Sequence, residues 1–335
     1  MSRSGSVCGR AGLLFFFGLV LILVPLTLLA EQPQPAQRTF DLQISARITE
    51  LKPGSDVRIW FPVPSSSEDQ TIEILSRNFP AESRLTTEGR FGNQMLYCEA
   101  VVADSGNLEV ALKVRVTRNE LQVAKKATSA NLSAPERSAW LQADRLVPIS
   151  GRPQELLLAG VKLPEQPLNR VRALYDIVDQ HMKYDKSVAG YGNGDVLWAC
   201  DSKTGNCTDF HSLFISLARS EKIPAVFEIG FPLPVERGSG NIGGYHCWAK
   251  VFVDDRGWLP VDISEADKNP NLKEYYFGNL TENRVAFSRG RDLVLMPPQK
   301  SDPLNYFVFP YAEVGANPVS PDNIQLTIVY NDLKP

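Results

Sequence analysis

Between residues 38 and 118 apolar and polar positions alternate in short runs, as in "FDLQISARI" and "LEVALKVRV". Alternation of period two marks strands with one face buried, and the stretches KPGSD, GRFGN and DSGN between them carry turn chemistry. The region is therefore expected to form an antiparallel β-sandwich. In "RIWFPVP", Trp60 and Phe61 sit beside prolines, which suggests a strand ending at a sheet edge or a contact between domains. Residues 119 to 166 change character, with several prolines and one helix-like piece, "APERSAWLQAD", and read as a connector.

From residue 167 the period lengthens. Leu168, Val171, Leu174, Tyr175, Val178 and Met182 recur at three and four, the spacing of an amphipathic helix. A glycine-rich loop follows, "AGYGNGD", and then a second helical run in which Phe210, Leu213, Phe214, Leu217 and Ala218 keep the spacing until Pro224 forbids continuation. "GYHCWAKVFVDDRGWLPVDIS" places strand-type residues on both sides of DDRG, a hairpin signal. In its first strand His246, Trp248, Lys250 and Phe252 share one face; Cys247, Ala249, Val251 and Val253 share the other, which points Cys247 away from His246 towards the core as a structural residue. The later runs "LVLM", "NYFVF" and "IQLTIVY" are expected to extend the sheet of this second domain, residues 167 to 335. The fold class is α+β, a β-sandwich followed by a second, mixed domain.

The N-terminus is different in kind. Arg3 and Arg10 precede an apolar run from Leu13 to Val24, and Ala30 is followed by EQPQPAQ. Residues 1 to 30 read as a secretory signal peptide and 31 to 37 as a linker, which makes the protein exported and periplasmic. The alternative is a retained N-terminal anchor facing the periplasm. Cleavage removes two of the 35 basic residues and none of the 38 acidic ones. That mild acidic excess gives no electrostatic basis for nucleic-acid or anionic-membrane binding. Three sequons, at Asn131, Asn206 and Asn279, matter only in a glycosylating host. Cys98, Cys200, Cys207 and Cys247 remain, too few for a disulfide framework, although export would allow one bridge, with Cys200–Cys247 a candidate.

Cys207 lies on the first turn of its helix, where unpaired N–H groups and the helix dipole favour a thiolate and where its own N–H can serve as an oxyanion donor. If the hairpin folds about position 254 with a bulge at Gly257, Asp262 opposes His246 on one face, accepts the ring N–H and supports an imidazolium beside the thiolate. His211, four residues after Cys207, projects from the same helix face, either as a hydrogen-bonding neighbour of the site or as a polar residue satisfied between helix and sheet. Trp198, Tyr184 and Tyr191 could each supply a second oxyanion donor or pack in the core. Trp248, on the His246 face, is a further candidate. Asp209 suits the helix dipole and needs no catalytic role. A zinc site on Cys207, His211 and His246 is an alternative, although Cys-x3-His is not a usual zinc-finger pair.

The segments "GNCTDFHSLFISLARSEKIPA", "GYHCWAKVFV" and "GWLPVDISEA" resemble the transglutaminase-like superfamily, in its branch of exported bacterial proteins. The likeness covers roughly residues 167 to 270, and "YYFGNLTENRVAFSRGRDL" is similar to the continuation in that branch. It implies a papain-like α+β fold with Cys207 as nucleophile, His246 as base and then acid, and Asp262 as orienter. Arg219 and Pro224 match positions that are structural in the family. The resemblance also implies a thiol hydrolase or acyltransferase acting on protein or peptide amides without a cofactor. Nothing in the chain resembles the calcium-binding insertions of animal transglutaminases, so hydrolysis by a protease or deamidase is expected over crosslinking. A reading from another class is a binding or assembly module, with the sandwich contacting a protein partner and the second domain inactive.

Overall fold

A strand with one apolar face needs a second layer to cover it, and the alternating region meets that need with two antiparallel sheets. The computed structural model describes residues 35–123 and 131–334, together with Gly5. The expected signal peptide and most of the linker lie outside the described residues. Strands β1 (Gln37–Ile48), β3 (Gln70–Asn78) and β6 (Leu108–Asn119) belong to one sheet; β2 (Asp56–Val63), β4 (Ser83–Thr87) and β5 (Gln94–Val101) belong to the other. Phe40, Leu42, Ile44, Ala46 and Ile48 of β1 share a core with Val57, Ile59 and Phe61 of β2.

The later part of the chain has a four-stranded antiparallel sheet of β7 (Ala225–Pro232), β8 (His246–Val253), β9 (Gly257–Val261) and β10 (Arg284–Arg289), in the order β9-β8-β7-β10. Four helices accompany it: α1 (Pro167–His181), α2 (Val196–Ser202), α3 (Cys207–Ser220) and α4 (Ile263–Lys268). The helix-like piece of the connector is one short helix, Ala134–Ala139, capped by Ser133 and Glu136.

Both sandwich sheets are completed from the far end of the chain. Strand β11 (Tyr311–Val314) pairs with β2, and β12 (Ile324–Asp332) pairs with β1 from Phe40↔Asp332 to Ile48↔Ile324. The C-terminal runs therefore do not extend the sheet of the second domain, as the sequence suggested. Ile328 and Tyr330 of β12 are buried, and they fit the side of β1 that β6 leaves open. Strand β2 is interior, between β5 and β11, so Trp60 and Phe61 do not mark an edge. Trp60 is fully buried and its indole N–H donates to the Pro297 carbonyl at 2.8 Å.

The sandwich also closes one edge of the four-stranded sheet. Gln70 accepts the Ala286 N–H and donates to its carbonyl, both at 2.9 Å; Asn93 does the same for Arg289, both at 2.8 Å. Two side-chain amides thus stand in for a fifth strand and satisfy β10. A cleft of about 640 Å³ opens at this junction, lined by Lys250, Trp258 and Arg289, and none of Cys207, His246 or Asp262 lines it.

Helix α3 is the axis of the domain, buried from Cys207 to Arg219 on its polar side as well as its apolar side. Each polar residue there has found a partner. Ser212 receives Arg291, Ser216 donates to the Pro148 carbonyl, and Arg219 binds Asp144 at 2.6 Å and the Gln142 and Ala225 carbonyls. Arg219→Met leaves the buried Asp144 carboxylate alone, and a loss of about 3 kcal/mol is expected in chemical denaturation. A change below about 0.5 kcal/mol would mean that the pair contributes nothing.

Candidate active site

The helix that carries Cys207 is capped one residue earlier. Asn206 takes the cap position, its side chain accepting the Thr208 N–H at 2.8 Å, while Asp209 reaches back to the Asn206 N–H at 2.9 Å. Cys207 is the first helical residue, so a good cap and a thiol on the positive end of the dipole coexist.

Asp209 does more than suit the dipole. Its two oxygens also accept the Gly192 and Gly194 N–H groups, at 2.7 and 2.9 Å, and so tie the glycine-rich loop to the helix start. Gly194 has a φ of 60°, and a Cβ there would lie 2.4 Å from the Ser212 hydroxyl. The sequence reading missed this role.

His246 opens β8 and Asp262 follows the last residue of β9. The hairpin register pairs Val253 with Gly257 and Ala249 with Val261. Continued, it sets Trp248 level with Asp262, not His246. The loop holds three residues and ends at Gly257, whose φ is 75°, and this longer turn moves the register by two. A shift of two preserves the face, so His246 still meets Asp262, with Nε2 2.7 Å from Oδ2. Asp262 also caps α4: its Oδ1 accepts the Glu265 N–H at 3.2 Å and the Ser264 hydroxyl at 3.1 Å. Capping by one oxygen orients the other towards the ring.

With Nε2 committed to Asp262, Nδ1 of His246 is the ring nitrogen left to interact with the Cys207 sulfur. Burial alone would push the Cys207 thiol up, but the Cys247 and His246 side chains and the charge of the His246 ring hold it well below its ordinary value. Burial opposes charge on His246 too, yet the Asp262 carboxylate and the sulfur push it up to about 10. Burial would raise Asp262, and His246 and Arg284 together hold it far below the usual carboxylate range. These directions favour a thiolate on Cys207, an imidazolium on His246 and a carboxylate on Asp262.

Cys247 faces the core, as expected, but that core includes the Cys207 sulfur. Burial and the neighbouring thiolate push the Cys247 thiol well up, so it stays protonated and donates. All four described cysteines are free, and the Cys200–Cys247 bridge is not formed; Cys200 lies buried on α2.

Both nitrogens of His211 are engaged. Nε2 accepts the Ile263 N–H at 3.0 Å, and Nδ1 lies 3.8 Å from the Cys247 sulfur. His211 thus holds the backbone next to Asp262, and burial pushes it below its ordinary value. Among the described residues no group of three His, Cys, Asp or Glu side chains is arranged to hold a metal ion.

Of the other candidates, Tyr184 is half-buried, and burial with the Cys207 charge pushes its phenol up, so it stays protonated. Trp198 packs instead against Gly190, its indole nitrogen 2.7 Å from where a Cβ would stand. Tyr191 is 39 % exposed. Trp248 is fully buried and donates to Glu228 at 2.7 Å. Two residues went unseen in the sequence. Tyr245 hydrogen-bonds Thr208 at 2.9 Å and Asn206 at 3.1 Å, and Arg284 donates to Asp262 Oδ2 at 3.0 Å. Tyr245 directly precedes His246, a signal that adjacency could have given; Arg284 has no such signal.

Residues 156–263 match the model of the transglutaminase-like superfamily, and this part of the chain is a transglutaminase-like domain. A protein of Haemophilus influenzae described only as "Uncharacterized protein" is 27 % identical over 304 residues, 78 % of this chain and 82 % of that one. A solved structure described as a "Putative Cysteine Protease from Cytophaga hutchinsonii" superposes with a TM-score of 0.56 at 16 % identity, covering 90 % of this chain and 93 % of that chain, and shares the fold. The periplasmic domain of TgpA from Pseudomonas aeruginosa, bound to ethylmercury, covers 71 % of this chain and 93 % of that chain at 18 % identity, with a TM-score of 0.36.

Proposed function

We propose that this chain, with its transglutaminase-like domain at residues 156–263, is an exported thiol-dependent amide hydrolase acting on protein or peptide substrates. The observation that carries the reading is the buried line from Asp262 through His246 to the Cys207 sulfur.

In the first half-reaction the Cys207 thiolate attacks an amide carbonyl carbon and the carbonyl electrons move to oxygen. The Cys207 N–H at the helix tip and the Tyr184 phenol are the donors assigned to that oxyanion. Collapse expels the amine, which takes the His246 proton, and leaves a thioester on Cys207. The neutral ring then removes a proton from water, whose oxygen attacks the thioester and releases the acid. Asp262 keeps the ring oriented and supports its charged form throughout.

With Cys207 only 2 % exposed, water reaches the thioester more readily than an amine carried on a second protein, which favours hydrolysis over crosslinking. Export rests on the N-terminal pattern alone; among the described residues no helix is long and apolar enough to cross a membrane.

The direct test is to incubate the purified protein with a peptide mixture, quench in acid and measure intact mass. An acyl adduct that maps to Cys207 and is absent from Cys207→Ala is expected, with its mass naming the donor. Neither adduct nor product across the mixture would count against hydrolysis.

A further inference from the structure

We infer that Arg284 is a fourth, charge-balancing member of the Cys207–His246–Asp262 group, a positioning residue that sets the pH range in which the thiolate and imidazolium coexist. The inference deepens the hydrolase reading and rests on it.

The geometry is specific. The Arg284 guanidinium donates to Asp262 Oδ2, the same oxygen that takes His246 Nε2. Its side chain is 4 % exposed and that of Asp262 is fully buried. The guanidinium lies over the Trp248 ring, 4.8 Å from its centroid, and the bond from Trp248 to Glu228 fixes that ring. Gly230 lets β10 come this close, since a Cβ there would fall 1.8 Å from the Val285 carbonyl oxygen, next to Arg284.

Charge counting gives the reason. Thiolate, imidazolium and carboxylate leave one buried negative charge, and an unbalanced buried charge is costly. Arg284 makes the set neutral.

The other ionisable neighbours do not supply that balance. From α4, Glu265 stands 3.9 Å from His246 Nε2, but it is a second acid and is paired with Lys268. From α3, His211 is 3.7 Å from Asp262 Oδ1 and accepts a backbone N–H, so it is neutral. From β8, Cys247 is a thiol. Burial pushes Tyr275 and Tyr276 up, Tyr276 to about 12, so both stay protonated. Glu228 of β7 pairs with Lys250, and Arg118 of β6 pairs with Asp69.

Loss of a positive charge makes every nearby proton harder to remove. Without Arg284, protonation of the thiolate at low pH and loss of the imidazolium proton at high pH should both move upward. A shift of about one pH unit is the scale of one buried charge acting at an effective dielectric constant of roughly 20. A residue that merely held the fold would lower activity at all pH values and leave both transitions in place.

The test reads both transitions without turnover. The iodoacetamide rate at Cys207 against pH gives the lower one, and the ring signal of His246, one of three histidines, gives the upper one by NMR. Arg284→Gln should raise both by about one unit, and Arg284→Lys should keep both within about 0.3 of wild type. Unmoved transitions in Arg284→Gln would overturn the inference. If that variant does not fold, Arg284→Lys decides: transitions displaced by about a unit with the charge retained would also overturn it. Failure of the hydrolase reading looks different, because wild type itself would then show no thiolate below neutral pH.

Discussion

At pH 7 iodoacetamide should alkylate Cys207 about tenfold faster than Cys98, Cys200 or Cys247, and His246→Ala should remove that lead. Burial pushes the thiols of Cys98 and Cys200 up, and burial with the adjacent thiolate does the same for Cys247. An ordinary thiol is about 3 % ionised at this pH, so population alone favours Cys207 by about 30-fold. The lower nucleophilicity of a low-pKa thiolate trims the ratio to about tenfold. Without the ring, desolvation of the sulfur is unopposed except by Cys247 and the helix dipole, and the thiol should reprotonate. Peptide mapping by mass spectrometry after a timed exposure reads all four sites at once. Equal labelling in wild type, or an unchanged lead in His246→Ala, would remove the proposed nucleophile.

The second large effect belongs to Asp209. Asp209→Ala strands three N–H groups, those of Gly192, Gly194 and Asn206, in a place where Asp209 itself is fully buried. An unsatisfied buried donor costs about 1–3 kcal/mol, so a loss of about 4 kcal/mol is expected once the loop relaxes towards water. Asp209→Asn keeps one acceptor oxygen and should lose about half as much. Because the loop and the Cys207 helix start share this carboxylate, the labelling lead of Cys207 should fall in the same order. Chemical denaturation measures the first quantity and the alkylation assay the second. A stable Asp209→Ala protein with full Cys207 reactivity would show that the loop finds its shape unaided.

What could be read from the residues was whatever obeyed a local period. The spacing of Phe210, Leu213, Phe214 and Leu217 gave the helix, and Cys207 stands at its start. The alternation around His246 gave the hairpin and the face shared with Asp262, because strand parity survives an error of two. The register itself was not legible, since it depends on whether Gly257 closes a longer loop, and a single φ decides that. Asp209 and Arg284 were missed for a different reason. Their partners lie 15 to 22 positions away on elements whose docking no local rule describes. Partner choice among strands was hidden in the same way: "IQLTIVY" reads correctly as a strand, yet nothing in its alternation says that β1 is its neighbour.

That neighbour bears on how the chain acquires its shape. Residues 324–332 are synthesised almost 300 positions after β1, and until they emerge one side of β1 has no mate. The segments that carry Cys207 and His246 are therefore made while the sandwich that braces β10 is still open. Joining ends almost 300 positions apart is entropically slow and leaves a hydrogen-bonding edge available to other chains in the meantime. Closure of the sandwich is accordingly expected only after residue 332 has emerged, and its exposure to mispairing to be greatest just before that moment.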